Sequence, residues 1–423
     1  MSEKQRILDY LDSEFTEPIR DTLWRNINLT PGMMVLVQHP QFQKLGRIKQ
    51  LGPAFLVYPG ATHTRFIHSL GVFSIAKRII HSLLHHPNCP ALSMEGVKGF
   101  LAASLLHDLG HFPFAHSLKE LPLKTHETLT AELILNTDLS SILRDRVKTD
   151  PQFVAAVIDL SIEAGDNPEI LFFRKLLSGV LDPDKLDYLN RDAFFCGVPY
   201  GVQDIDFIID RIEPHPDSGM SINLQGLHAV ENMLFSKYLM YRTVYWHRTV
   251  RIATAMIKKP LFSAVSEGII KPEDLYHLDD DDFFSSFSRN DFAYSGIISD
   301  VFNRRLFKTV YECDFDQRNS SHQGMTDLSL RLKAEEELLR LIAPNHSKCG
   351  LNPVIIDIPE PISFEIELPI VIQDNYIPFM ESKSVFSIPV VEGFTRSLRM
   401  IRVMVPPKLI QEGVSQKIEE FFG

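Results

Sequence analysis

From residue 60 to 270 the apolar positions recur every three or four residues. The runs RFIHSLGVFSIAKRIIHSLLHH, VKGFLAASLLHD, ETLTAELIL, FVAAVIDLSI, FFRKLLSGVL and AVENMLFSKYLMYRTVYWHRTVRIATAMIKKPL each place them on one stripe, the pattern of a helix buried on one face. Turn strings such as HHPNCP, GDNP, VPYG and EPHPDSG separate the runs, at spacings too irregular for a solenoid repeat. Beyond residue 300 the texture changes. LFKTVYECDF, VIIDI, SFEIELPIVI, VFSIPVV and RMIRVMV alternate or run apolar as strands do, and SLRLKAEEELLRLI between them reads as a helix. The pattern predicts a mainly α protein, with a helical domain over residues 1–300 and a smaller α+β domain over 301–423. The acidic run HLDDDDFF at 277–284 reads as a solvated turn or helix start.

Composition narrows the class. A chain of 423 residues with 44% hydrophobic content can bury one large core or two ordinary ones. Its four cysteines, Cys89, Cys196, Cys313 and Cys349, form no CxxC pair, so neither a disulfide framework nor a thiolate zinc site is indicated. The N-terminal stretch is charged, and no run approaches the ~18 apolar residues of a membrane span, so no membrane partner and a cytoplasmic location are expected. A net charge of -11 argues against strong nucleic-acid binding. It leaves room for a local basic pocket that takes one small anion.

The densest chemistry lies in LLHDLGHFPFAH, residues 105–116. His107 and Asp108 are adjacent near the end of an apolar helix, His111 lies one turn on, and Gly110 and Pro113 can turn the chain so that His116 returns. Imidazole with carboxylate suits a divalent metal that activates water, although an HD dipeptide alone is usually a chance pair. His68 in TRFIHSLGV has Arg65 on nearly the same helix face, and Asp184, Tyr188 and Asp192 repeat at i, i+4 and i+8 in LDPDKLDYLNRD. By itself that stripe could be a solvated face. Together the strings form a set spread over several helices, from which a bundle can build a metal site.

FQKLGRIKQLGPAFLVYPGATHTRFIHSLGV (42–72), LLHDLGHFPFAH, THE (125–127) and DPDKLDYLNRD (182–192) closely resemble, in the same order, the HD-domain deoxynucleoside triphosphate triphosphohydrolases, which include SAM-and-HD-domain and bacterial dGTPase-like enzymes. The likeness covers roughly residues 15–265. It implies an HD-superfamily helical core in which His68, His107, Asp108 and Asp184 hold a divalent metal, with Mg, Mn, Fe, Zn and Ni all admissible. His111, His116 and His126 would line the reacting phosphate as proton donors or electrostatic stabilisers. One position departs from the mammalian-type pattern: where an acidic residue follows three places after His116, this chain has Lys119, with Glu120 next.

The resemblance also implies a substrate pocket. A helix running from Lys237 would bring Lys237, Arg248 and Arg251 onto one stripe beside Tyr245, a cationic face on an acidic protein. By the family motif, Lys237, Arg248 and Lys185 would hold the triphosphate, and Arg65 would also contact substrate. Gln50 would bond the 3′-hydroxyl, Leu51 and Tyr245 would crowd C2′, and Tyr188 and Asp192 would support the sugar. The expected reaction is hydrolysis of a deoxynucleoside triphosphate to deoxynucleoside and tripolyphosphate, by a homo-oligomer, dimer or tetramer. The alternatives are a nucleotide phosphodiesterase or pyrophosphohydrolase, or a non-catalytic nucleotide sensor. Products separate the first two readings from one another, and absence of turnover marks the third.

Overall fold

The Arg65–His85 helix carries Leu70, Phe73, Ile75, Ile79, Ile80 and Leu83, all buried, and forms the centre of the main core. It packs against the Met94–Leu106 and Pro183–Cys196 helices. The structure is a computed structural model that describes residues 1–289, 292, 294–345, 351–362, 364, 366–373 and 375–422. Cys349, counted above, lies outside the described residues. Local chemistry sets the helix starts. The Ser93 side chain accepts from Gly96 N, Thr125 from Thr128 N, and Asp182 from Lys185 N with Pro183 in the first turn. Gly71 lets two of these helices touch, because a Cβ there would sit 1.9 Å from Asp187 Oδ1 and 2.5 Å from Arg191 Nη2.

The mainly α reading holds, with a smaller C-terminal α+β region. There the Met400–Val405 strand is central to an antiparallel sheet, flanked by Lys308–Asp314 and Ile355–Asp357. Leu338, Ile401, Val403, Ile418 and neighbours form its own core beneath the Leu328–Ile342 and Val414–Phe422 helices. Residues past 300 are nevertheless shared among three clusters, with Val301, Phe307, Ile355 and Met404 joining the one built on the Arg248–Ser266 helix. Ile362, Phe364, Leu368, Ile370, Phe379, Phe386 and Leu398 return to the main cluster, and the strand Pro369–Ile372 pairs in parallel with Gly219–Asn223 through Ile222 and Ile370.

Some elements differ from the pattern-based expectation. VFSIPVV, read as a strand, opens the Ile388–Leu398 helix: Pro389 suits a first turn, and Phe394 stacks on Tyr238 at 4.3 Å. Two hairpins, Glu17–Asp21 with Arg25–Leu29 and Ile212–His215 with Gly219–Asn223, lie in a half expected to be helical. The long run ending in KKPL is not one helix. Leu227–Met240 passes into a π-turn at Tyr241–Tyr245, the chain breaks at Trp246–His247, and a new helix, Arg248–Ser266, starts under the His247 side chain. The acidic run is not wholly solvated, since Asp279 caps the Asp280–Phe287 helix and both carboxylates are buried.

Candidate functional site

Three elements aim side chains at one point. His68 lies in the first turn of its helix, His107 and Asp108 follow the end of Met94–Leu106, and Asp184 lies in the first turn of Pro183–Cys196. His68 Nε2 is 2.9 Å from Asp184 Oδ1 and 4.0 Å from Asp108 Oδ2. His107 Nε2 is 3.4 Å from Asp108 Oδ1 and 4.0 Å from Asp184 Oδ1. The ligand atoms of His68, His107 and Asp184 all lie within 4.8 Å of one another.

The tautomers follow from the other ring nitrogens. His68 Nδ1 meets Asp187 Oδ2 at 2.8 Å and His107 Nδ1 meets the Ser104 carbonyl at 2.9 Å. Both partners can only accept, so each Nδ1 carries the proton and the His107 Nε2 lone pair is left buried without a partner. An orphaned imidazole nitrogen between two carboxylates is the donor set of a divalent cation, and the residues present fit one. Burial lowers the His68 pKa, but Asp184 and Asp187 outweigh it and raise it to about 10. The cluster thus calls for positive charge, which a proton on His68 or a divalent cation would supply, and binding the cation would displace that proton.

Behind His68 stands an ion network that the sequence reading did not single out. Arg191, fully buried, donates to Asp187 Oδ2 from Nε at 2.8 Å and to Asp21 Oδ2 from Nη1 at 2.8 Å. Trp24 Nε1 donates to Asp187 Oδ1 at 2.5 Å. The available signal was spacing, since Asp187 and Arg191 follow Asp184 at i+3 and i+7 on one helix. On the opposite side, Arg65 Nη1 donates to Asp108 Oδ2 at 2.7 Å. Burial raises the Asp108 carboxyl, but the His111 imidazole 3.2 Å from it, the Arg65 guanidinium and His107 together hold it well below the usual carboxylate range.

The three remaining histidines also meet. The His111 ring stacks on His126 at 3.9 Å and lies 4.8 Å from His116, while His116 and His126 are 5.2 Å apart. Gly110 permits this contact: a Cβ there would fall 2.3 Å from the His126 carbonyl and 2.6 Å from Thr130 N. Burial first, then the charges of Arg65 and His126, holds His111 well below its ordinary pKa, so it is neutral. Lys119 is exposed at the cavity, and Glu120 is taken up by Lys258 at 2.6 Å and Arg331 at 2.9 Å.

A cavity of about 720 Å³ opens over the cluster, lined by Gln50, Leu51, Arg65, His68, His107, Asp108, His116, His126, Asp184, Lys185, Tyr188, Lys237 and Tyr245. His111 is buried behind this wall. Asp192 supports rather than lines it, taking His63 Nε2 at 2.8 Å on one oxygen and the Tyr245 hydroxyl at 2.7 Å on the other. Lys185 Nζ donates to Asp182 and to the Gly179 carbonyl. Arg248, expected on the triphosphate, lies outside. The π-turn and the break at His247 reset the helical phase, and Arg248 pairs with Glu312 at 3.2 Å and faces a different cleft. Arg251 lines the cavity instead, bound to Asp357.

Residues 65–164 match the HD domain family and residues 204–423 match the HD associated region. The chain is 33% identical over 317 residues to the uncharacterized protein YwfO of Bacillus subtilis, covering 69% of this chain and 71% of that one. It is 25% identical over 422 residues to the human deoxynucleoside triphosphate triphosphohydrolase SAMHD1, covering 84% of this chain and 67% of that one. A hypothetical protein from Aquifex aeolicus has a solved structure that superposes with a TM-score of 0.73 at 26% identity, over 95% of this chain and 99% of that chain.

Proposed function

The chain belongs to the HD-domain phosphohydrolases, and from that premise we propose that it hydrolyses deoxynucleoside triphosphates to deoxynucleoside and tripolyphosphate. The observation that carries the substrate reading is Gln50 Oε1, buried and unpartnered in the wall of the cavity that holds the metal ligands. An orphaned buried acceptor costs about 1–3 kcal/mol, and a sugar hydroxyl entering the cavity would relieve it. Tyr245 supports the same reading. Its hydroxyl is committed to Asp192, and burial, then that carboxylate, raises its pKa well above the ordinary value, so it stays neutral. Beside the Tyr245 ring and Leu51, a 2′-hydroxyl would be desolvated without gaining a partner.

His68, His107, Asp108 and Asp184 would hold the cation. When bound, it supplies Lewis acidity, stabilising charge on a phosphoryl oxygen and making a water more acidic. Lys237 and Arg65 would hold phosphate oxygens, with Arg65 also orienting Asp108. Water adds to the α-phosphorus as the bond to the 5′-oxygen breaks, His126 donates the proton that the departing oxygen takes up, and the proton shed by the water restores it. His116, held well below its ordinary pKa by burial and then by Arg65 and His126, lines the phosphate as a neutral hydrogen-bond donor. Neutral His111, stacked behind them, keeps a second positive charge out of the histidine group.

Incubation with each dNTP and NTP in the presence of divalent metals, with products resolved by anion exchange, tests this reading. Tripolyphosphate and deoxynucleoside are the expected products. Pyrophosphate or a nucleoside monophosphate would move the assignment to a pyrophosphohydrolase or phosphodiesterase, and tight binding without turnover to a sensor. Gln50→Ala should lower kcat/KM for every dNTP by about 1–2 kcal/mol, roughly 5- to 30-fold. Dideoxynucleotides should be poor substrates of the native protein and lose that disadvantage in the variant. Tyr245→Ala should relax the preference for dNTPs mainly by admitting NTPs. Equal native rates on ribo-, deoxy- and dideoxynucleotides would contradict this pocket.

A further inference from the structure

We propose that Asp280 is a specificity-positioning residue: its carboxylate holds the strap of residues 47–51 at the depth where Gln50 and Leu51 face the cavity. The inference rests on the deoxynucleotide reading above and deepens it. The strap leaves a 3-10 turn at Arg47, is extended only at Ile48 and Lys49, and turns at Gln50 and Leu51. Along one edge Gln50 N donates to the His63 carbonyl at 3.0 Å and Arg65 N to the Ile48 carbonyl at 3.0 Å, around a single bridge between Lys49 and Thr64. So short a ladder has little stability of its own.

The other edge is held by side chains from far along the chain. Asp280 Oδ2 accepts from Lys49 N at 3.2 Å and from Lys49 Nζ at 3.0 Å, and Asp279 Oδ2 accepts from Arg47 Nε at 2.5 Å. Both carboxylates are about one-tenth exposed or less, while Lys49 is 32% exposed and Arg47 55%, so the Lys49–Asp280 pair is the better shielded and the Arg47 pair is closer to an ordinary surface one. Asp279 is itself fixed, since its other oxygen caps the Asp280–Phe287 helix at Asp282 N, 2.9 Å away. The clamp therefore ties Gln50 to a helix that is buried through Phe283 and Phe287. It also explains an acidic run whose charge would otherwise favour full solvation. His63, whose carbonyl fixes the first edge, also bonds Asp192 behind Tyr245, so the strap and the tyrosine wall share one frame.

The test compares native protein, Asp280→Asn and Asp280→Ala by hydrogen exchange of residues 47–52 and by kinetics on a dNTP and its dideoxy analogue. Exchange over 47–52 should accelerate about tenfold or more in Asp280→Ala, and less in Asp280→Asn, which keeps an acceptor for Lys49 N. The deoxy-to-dideoxy ratio of kcat/KM should fall severalfold, through KM for the dNTP rather than kcat, because the metal cluster is untouched. If Asp280→Ala does not fold, Asp280→Asn carries the comparison. A native protein that discriminates, with an Asp280→Asn variant that discriminates equally and exchanges equally, overturns this inference alone. A native protein that treats deoxy and dideoxy substrates alike overturns both it and the pocket reading.

Discussion

His107→Ala is expected to abolish metal content and lower turnover by about 10³-fold or more, while the helical fold survives. A divalent cation contributes several kcal/mol to a phosphoryl transition state, and each 1.4 kcal/mol is a factor of ten. His107 follows the end of its helix, and its Nε2 makes no hydrogen bond, so truncation removes a ligand without opening the core. Asp108 behaves differently. Arg65 is 5% exposed and donates to it, so Asp108→Ala would strand a buried guanidinium, whereas Asp108→Asn keeps the volume and a hydrogen-bond acceptor. Metal analysis, circular dichroism and turnover on the three variants check this. Full metal occupancy with native activity in His107→Ala would remove the proposed metal site.

Arg191→Met should produce the largest loss of stability, about 3–5 kcal/mol by urea unfolding. It leaves Asp187 and Asp21, both buried, without their shared countercharge. The damage should reach the site as well. Asp187 orients His68 through Nδ1, and loss of such a support typically costs about 10- to 100-fold in metal affinity. The native network also has a pH signature. Burial raises the Asp187 carboxyl, but Arg191 and His68 outweigh it and hold the pKa below its ordinary value. Its stabilising contribution is therefore present above the unfolded carboxylate range and is lost as pH falls through the folded value. An Arg191→Met variant with a native unfolding midpoint and native metal affinity would show that the network carries neither burden.

What the chain determined alone is local. The Arg65–His85 helix, the apolar helix ending before His107, and the capped start at Asp182-Pro183 are written within windows of a few turns, so periodicity and capping chemistry reveal them. The chemical character of the proposed ligands was legible for the same reason, because His68, His107, Asp108 and Asp184 each sit in such a window, while the resemblance in motif order is what joined them into one set. Element type was illegible where the local pattern is ambiguous. VFSIPVV is apolar enough for a strand, Pro389 favours a helix start, and the packing of Phe394 on Tyr238 goes with the helix.

Tertiary structure decided everything that depends on phase or on distant partners. One π-turn at Tyr241–Tyr245 shifts the following residues around the axis, which carries Arg248 out of the cavity and leaves Arg251 in it. The support of His68 comes from Asp187, 119 residues away, and the hold on Lys49 comes from Asp280, 231 residues away. A carboxylate looks the same in sequence whether water or a buried cation will satisfy it. Which of these it meets is settled only when the core closes, because removing its hydration is affordable solely where a partner of opposite charge is already in place.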